Sequence, residues 1–345
     1  MQTSREIVVI GGSAGAVEAL PRVMRGLPAA LAARVFVTIH IPPVASALPA
    51  IVTRAGPLVA RHPADGELTA PSRVYVAPPD RHLLVRPGQV SVVAGPRENG
   101  HRPAVDPLFR SAAAAYGPRV VAVVLSGNLD DGAAGARAVH AAGGTVLVQD
   151  PAECAYPGMP TAALAAVPGA EVMPLDRIAA RIVELLATPL AGVAPAAASR
   201  EFVPLIPPPV EMEEPRIDGS AHRGTPSGFT CPECHGGVFE LDVAGTQQYR
   251  CRVGHAFTAE VLLAEQGASV EAALWTALRA LEDSAEMAER LERRARQRGN
   301  ALAAEAQARA GVTYGQRARA VRALLRAGTG AEVRGIDGPG QVAPG

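Results

Sequence analysis

Ser13 stands at the apex of a glycine-rich turn, Gly11-Gly12-Ser13-Ala14-Gly15, that follows the apolar run Ile7-Val8-Val9-Ile10. A strand ending in such a turn lifts one side chain above the edge of a sheet. The helix predicted over about Val17 to Met24 sets free N–H groups and a positive dipole end beside it. An exposed hydroxyl with backbone donors close by is what a nucleophile elbow requires. The same turn could also cradle a phosphate, although the dinucleotide pattern G-x-G-x-x-G is absent. The second strand, moreover, ends in His40 rather than in the acid that would bind a ribose.

His40 closes the run Val35-Phe36-Val37-Thr38-Ile39, and Asp130-Asp131 follows the continuous apolar run Val120–Leu125. If these runs are parallel strands, a hydroxyl, an imidazole and a carboxylate meet at the carboxyl edge of one sheet, where such sheets bind ligands. His40 would take the Ser13 proton and return it to the leaving group. The aspartate would fix the imidazole tautomer and stabilise its cation. The order Ser…His…Asp differs from that of α/β-hydrolases, whose histidine comes last, so a different hydrolase fold is expected. On the residues alone, His40 could equally be a half-buried histidine at a strand end; His62, His82, His101 and His140 show that histidine is not scarce here. Asp130 or Asp131 could equally cap the following helix.

A second constellation lies in the C-terminal half. Cys231-x2-Cys234 and, after sixteen intervening residues, Cys251-x3-His255 supply three thiolates and an imidazole, the ligands of a closed structural zinc site. His235 competes for the fourth place with poorer geometry, being adjacent to Cys234. Four protein ligands leave no open position, so the expected Zn2+ serves folding, and no cofactor is expected for catalysis. The remaining cysteine, Cys154, has no local base and reads as an inert thiol.

The elements that must position these residues alternate between β-type and α-type. Strands are expected at Ile7–Ile10, Val35–Ile39, Arg73–Ala77, Val120–Leu125 and Thr145–Gln149, with a hairpin at His82–Val85 and Gln89–Val93. Helices are expected after Ser13 and at Asp106–Ala115 (Asp106 as N-cap), Ala133–Ala142, Pro160–Ala166 and Leu175–Ala187. That alternation predicts a doubly wound, mostly parallel α/β sheet. Residues 189–227 are rich in proline, alanine and acidic side chains and read as a disordered linker. Within 228–327 two short strands around Phe239 and Tyr249 suggest a zinc ribbon. Leu274, Leu278, Leu281, Ala285, Ala288 and Leu291 then recur at helical spacing, and Gly299-Asn300 separates a second helix, making a helical hairpin. Residues 328–345 read as a disordered tail.

The 345 residues suffice for about two domains. The net charge is zero and lysine is absent, so no global field attracts nucleic acid or membrane. No apolar run spans a bilayer and no leader precedes the first strand, so a cytoplasmic location is expected.

Several motifs together resemble the CheB-type chemotaxis methylesterase catalytic domain, in order and spacing, over residues 1–188. They are Ile10-Gly11-Gly12-Ser13-Ala14-Gly15, His40-Ile41-Pro42, Val74-Tyr75-Val76-Ala77-Pro78-Pro79-Asp80-Arg81-His82-Leu83, Arg102-Pro103-Ala104-Val105-Asp106-Pro107-Leu108-Phe109, Asp131-Gly132-Ala133-Ala134-Gly135 and Glu153-Cys154-Ala155-Tyr156-Pro157-Gly158-Met159-Pro160. The resemblance implies hydrolysis of γ-glutamyl methyl esters on methylated chemoreceptor helices, and deamidation of receptor glutamines through the same acyl-enzyme. It places the catalytic serine on Ser13, the histidine on His40 and the aspartate on Asp131, leaving Asp130 a bystander.

Two departures stand out. The family's Gly-Met-Gly-x-Asp-Gly loop reads Gly127-Asn128-Leu129-Asp130-Asp131-Gly132, which bears on the oxyanion site, and the glycine pair after the serine is reduced to Gly15-Ala16. The best-known members carry a receiver domain before the catalytic domain; none is expected here, which leaves constitutive or partner-driven activity. The alternative to an esterase is a degenerate signalling scaffold that docks on receptors or partner proteins. Mixed charges and few aromatics around the ribbon argue for a protein partner and against nucleic acid. The oligomeric state is not set by these residues.

Overall fold

The computed structural model describes residues 3–190, 224–243 and 246–327. The chain divides into two compact units, Met1–Leu262 and Leu263–Gly345. The first unit begins β1 (Thr3–Ser4), β2 (Ile7–Gly12), α1 (Ala16–Arg25), β3 (Arg34–Ile39), α2 (Leu48–Ala55), β4 (Val59–Arg61) and β5 (Arg73–Val76). The hairpin β6 (His82–Arg86) and β7 (Gln89–Val93) follows, then α3 (Val105–Tyr116), β8 (Val120–Val124), α4 (Ala133–Ala141) and β9 (Thr145–Gln149). Next come α5 (Gly158–Ala166), β10 (Glu171–Met173), α6 (Leu175–Ala187) and β11 (Pro189–Leu190), which pairs with β1.

Seven strands form one parallel sheet in the order β10-β9-β8-β2-β3-β5-β4. The chain runs from β2 outward through β3 to β4 and β5, then crosses back to β8 on the other flank of β2. The loops after β2 and β8 therefore face each other where the winding reverses, the crevice in which open α/β sheets bind ligands. Ile7, Val8, Val9 and Ile10 are all fully buried, because both faces of β2 are covered. Val8 and Ile10 pack with α1, α2 and α6, while Ile7 and Val9 pack with α3, α4 and α5. Each such side chain contributes about 1.5–3 kcal/mol of burial.

Two glycines shape the turn after β2, in different ways. Gly15 has φ 78° and starts α1 in the left-handed conformation that other residues resist. Gly11 instead lets α3 approach: a Cβ there would sit 2.2 Å from Val105 Cγ1 and 3.2 Å from Phe109 Cζ. Val105 is β-branched and cannot rotate away at low cost. Gly11→Val is therefore expected to cost about 1–3 kcal/mol, read as a fall in Tm of several degrees by thermal denaturation.

The doubly wound parallel sheet matches the sequence expectation, with corrections of detail. Helix α2 and the three-residue strands β4 and β10 were not anticipated. Helix α3 is N-capped by Ala104, so Asp106 is not its cap but a buried side chain in its first turn. Pro189–Leu190 and Thr225–Ser227, expected in the linker, belong to strands. Most of that linker, and the tail 328–345, lie outside the described residues.

The ribbon has four antiparallel strands rather than two: β12 (Thr225–Thr230), β13 (Gly237–Val243), β14 (Thr246–Cys251) and β15 (Ala256–Phe257). Helix α7 (Ala259–Gln297) starts well before Leu274, and α8 (Ala301–Ala327) follows Gly299-Asn300. Within the second unit Leu278, Ala288, Ala304 and Ala318 are buried, whereas Leu291 of the same stripe is exposed. Glu292 and Arg296 make an i,i+4 pair at 2.7 Å. Among the described residues no helix is long and apolar enough to cross a membrane.

Candidate active site

Register brings Ser13 and His40 together. Gly12 of β2 pairs with Ile39 of β3, and the His40 N–H donates to the Gly12 carbonyl at 3.2 Å. Ser13 and His40 are thus the next residues beyond paired positions on neighbouring parallel strands, which lie about 4.8 Å apart. The Ser13 turn is pinned to the loop after β8: its N–H donates to the Ser126 carbonyl at 2.9 Å. The Ser126 hydroxyl donates to the Ala14 carbonyl at 2.8 Å and accepts from the Tyr156 N–H at 3.1 Å. One buried serine so holds three loops around the crevice.

Asp131 lies at the N-terminus of α3 and is 2% exposed. Its Oδ2 accepts from His40 Nε2 at 2.6 Å and from the Val105 N–H at 2.7 Å. Its Oδ1 accepts from Asn99 Nδ2 at 3.0 Å and from the Asp106 N–H at 3.1 Å. Burial alone would favour the acid form. The His40 hydrogen bond, the attraction to the cation that His40 becomes when protonated, and the α3 N–H groups outweigh it and hold Asp131 below the usual carboxylate range. Asp106 beside it is pushed up to about 8 by burial and by the Asp131 charge, so the negative charge resides on Asp131.

An ionised Asp131 fixes the tautomer of His40: Nε2 carries the proton, and Nδ1 keeps its lone pair. Nδ1 is buried and has no hydrogen-bond partner in the protein. His101 stacks on the His40 ring, with centroids 3.6 Å apart and planes at 23°. Burial, then the neighbouring imidazole, lowers His101 to about 4, so it meets His40 as a neutral ring.

Sequence reasoning missed Asn99, Ser126 and Asp106 as parts of this site and had counted His101 only as one more histidine. Asn99 carries a faint signal, since it adopts φ 51° just before Gly100 and asparagine tolerates that conformation. The contacts that bring Ser126 and Asp106 into the site, to Ala14 and Tyr156 and to Asp131 and Gly135, are non-local. Asp130 is not idle, as its Oδ1 accepts from Thr258 Oγ1 of the ribbon at 2.9 Å. In the altered loop Leu129 adopts φ 59°, so leucine occupies a left-handed position that glycine fills at lower cost. Cys154 is pushed up to about 11 by burial and adjacent acids, in keeping with an inert thiol.

The ligand atoms of Cys231, Cys234, Cys251 and His255 all lie within 4.8 Å of one another. The Cys234–Cys251 sulfurs are 3.5 Å apart, and His255 Nδ1 is 3.6 Å from both Cys231 and Cys251 Sγ. A tetrahedron with Zn–S of about 2.3 Å and Zn–N of about 2.0 Å has edges of roughly 3.5–3.8 Å. The donor set thus fits a metal ion. Burial pushes the Cys231 thiol up to about 12, so its thiolate needs a cation beside it. His235 takes φ 59° in the turn and is not one of the four.

The comparisons with known proteins bear on residues up to about 190. The model of the CheB methylesterase family matches residues 8–182. A protein-glutamate methylesterase/protein-glutamine glutaminase of Anaeromyxobacter dehalogenans (strain 2CP-C) is 40% identical over 190 residues, 53% of either chain. One of the same name from Xanthomonas euvesicatoria pv. vesicatoria is 40% identical over 191 residues, 54% of this chain and 53% of its own. The chain thus spans about half the length of the curated relatives it matches. The crystal structure of the Thermotoga maritima CheB methylesterase catalytic domain superposes with a TM-score of 0.51 at 34% identity, covering 53% of this chain and all of that one. A parallel sheet wound as in that domain, with the family match over half of the residues, makes this chain a member of the CheB methylesterase family.

Proposed function

We propose that the chain hydrolyses γ-glutamyl methyl esters on methylated chemoreceptors or receptor-like helical proteins and releases methanol. Ser13 Oγ attacks the ester carbonyl carbon while His40 Nδ1 accepts the hydroxyl proton. The tetrahedral oxyanion is met by backbone N–H groups at the start of α1. Its collapse breaks the bond to the methoxy oxygen, which takes the proton from His40 and leaves as methanol. Water then repeats the sequence on the acyl-serine, and the products are a glutamate carboxylate and free Ser13. Asp131 stays ionised throughout, orienting the imidazole and stabilising its cation. With glutamine as substrate the same route expels ammonia.

The observation that carries this reading is the pairing of an anchored Nε2 with a free Nδ1: four hydrogen bonds fix Asp131, and the opposite ring nitrogen of His40 has no protein partner. The test is labelling by a fluorophosphonate, which reports nucleophile activation whatever the natural ester. Stoichiometric modification mapped to Ser13 is expected. An intact, folded chain that does not react would remove the proposal.

The residues 231–255 are read as a structural zinc site in which Cys231, Cys234, Cys251 and His255 complete the coordination, so the ion supplies folding energy and no reaction step. The purified chain is expected to carry a single zinc ion, and Cys251→Ser to lose it with a lower Tm. Metal analysis of the two proteins checks this, and equal zinc content in both would contradict it. Thiols gathered as ligands rather than disulfides favour the cytoplasm.

A further inference from the structure

The metal-binding ribbon is built onto the segment that holds Asp131. The Asn99 N–H donates to the Ala256 carbonyl at 2.8 Å, and the Ala256 N–H donates to the Arg97 carbonyl at 3.2 Å. Ala256 directly follows the ligand His255, and both Ala256 and Phe257 are fully buried. Pro96 packs under Gly254, where a Cβ would come within 2.7 Å of its Cγ. Arg97 pairs with Glu233 between the first two ligand cysteines, at 3.4 Å.

Two further contacts reach the paired aspartates. The Thr258 N–H donates to Asn99 Oδ1 at 3.2 Å. That bond complements the amide's other end, whose Nδ2 donates to Asp131 Oδ1 and, at 3.1 Å, to Asp106 Oδ2. The reversed amide would set an oxygen against the Asp131 carboxylate and an NH2 against the Thr258 N–H, so this orientation is the one that matches donors with acceptors. The Thr258 hydroxyl meanwhile donates to Asp130 Oδ1. The ribbon therefore grips Asp130 directly and Asp131 through Asn99. A continuous path of hydrogen bonds runs from a metal ligand's neighbour to the imidazole of His40.

We propose that the metal-loaded ribbon is a clamp on the catalytic carboxylate: docked, it fixes Asn99 and hence Asp131, so that metal binding sets the reactivity of Ser13. Asn99 and Thr258 are then positioning residues, acting through Asp131 on His40. This inference rests on the esterase reading of Ser13, His40 and Asp131. Removal of the ion, or oxidation of the ligand thiols by a disulfide-forming oxidant, would free the 96–101 segment and lower the reaction rate without changing any group that touches substrate.

The full chain tests this with two readouts. The rate of fluorophosphonate labelling at Ser13 reports the triad, and amide hydrogen exchange at Asn99 reports docking. Stripping the metal with a chelator is expected to slow labelling by about 10- to 100-fold, the scale of a small misplacement of a reacting group, and to expose the Asn99 amide. Added zinc is expected to restore both. Thr258→Val, with zinc retained, is expected to slow labelling in the same direction, while Thr258→Ser behaves as wild type. Labelling that is unchanged or faster in the metal-free protein would overturn the clamp, the faster case marking the ribbon as a cover. Continued protection of Asn99 without metal would overturn it too. If the zinc-loaded wild type does not label at all, the esterase reading fails, while exchange at Asn99 still decides whether the metal governs docking.

Discussion

Asp131→Asn is expected to lower ester hydrolysis by roughly 10^3- to 10^4-fold, with the protein still folded. Four donors converge on this carboxylate: His40 Nε2, Asn99 Nδ2 and the N–H groups of Val105 and Asp106. An asparagine has one oxygen to offer, so its NH2 must face a donor whichever way it turns. If the oxygen stays with Val105 and His40, the NH2 meets Asn99 and Asp106. If it turns away, the NH2 faces Nε2, which then accepts, and the imidazole proton moves to Nδ1. That tautomer cannot take a proton from Ser13. The mismatch also leaves a buried donor unpaired, at a cost of about 1–3 kcal/mol, visible as a lower Tm. Steady-state kinetics with a circular-dichroism check of folding measures both. A variant retaining wild-type kcat would show that Asp131 does not set the state of His40.

Ser13→Ala is expected to have a larger effect still, a loss of roughly 10^5- to 10^6-fold in turnover. Without Oγ no acyl-enzyme forms, and the remaining binding and backbone donors can only assist direct attack by water. Stability should move little. The Ser13 backbone carries the contacts that fix the turn, through its N–H to Ser126 and its carbonyl to Ala16, and alanine keeps both. Loss of activity with an unchanged melting curve is therefore the expected signature. An equal loss of both would assign Ser13 a packing role.

Much of this site could be read from the chain because it is carried by local patterns. The β-branched runs at Ile7–Ile10 and Val35–Ile39 announce buried strands, and Ser13 and His40 follow them directly. Helix α6 spans Leu175–Ala187, the expected range. What escaped depends on tertiary pairing. Strands β4 and β10, at Val59–Arg61 and Glu171–Met173, are three residues long and exist because a neighbouring strand pairs with them. Helix α2 carries Pro49 in its first turn, inside a run of proline and alanine that reads as loop. The link from Thr258 through Asn99 to Asp131 is made of steps between residues 159 and 32 positions apart, and no spacing rule connects them. The linker reading hid it further, since a ribbon on a disordered tether carries no expectation of docking at one place.

Methanol release from a methylated receptor cytoplasmic fragment, wild type against Ser13→Ala, tests the central claim most directly. Wild-type release that vanishes in the variant is the predicted result. A folded, zinc-loaded wild type that releases no more methanol than Ser13→Ala would contradict it and leave a receptor-docking scaffold as the better account.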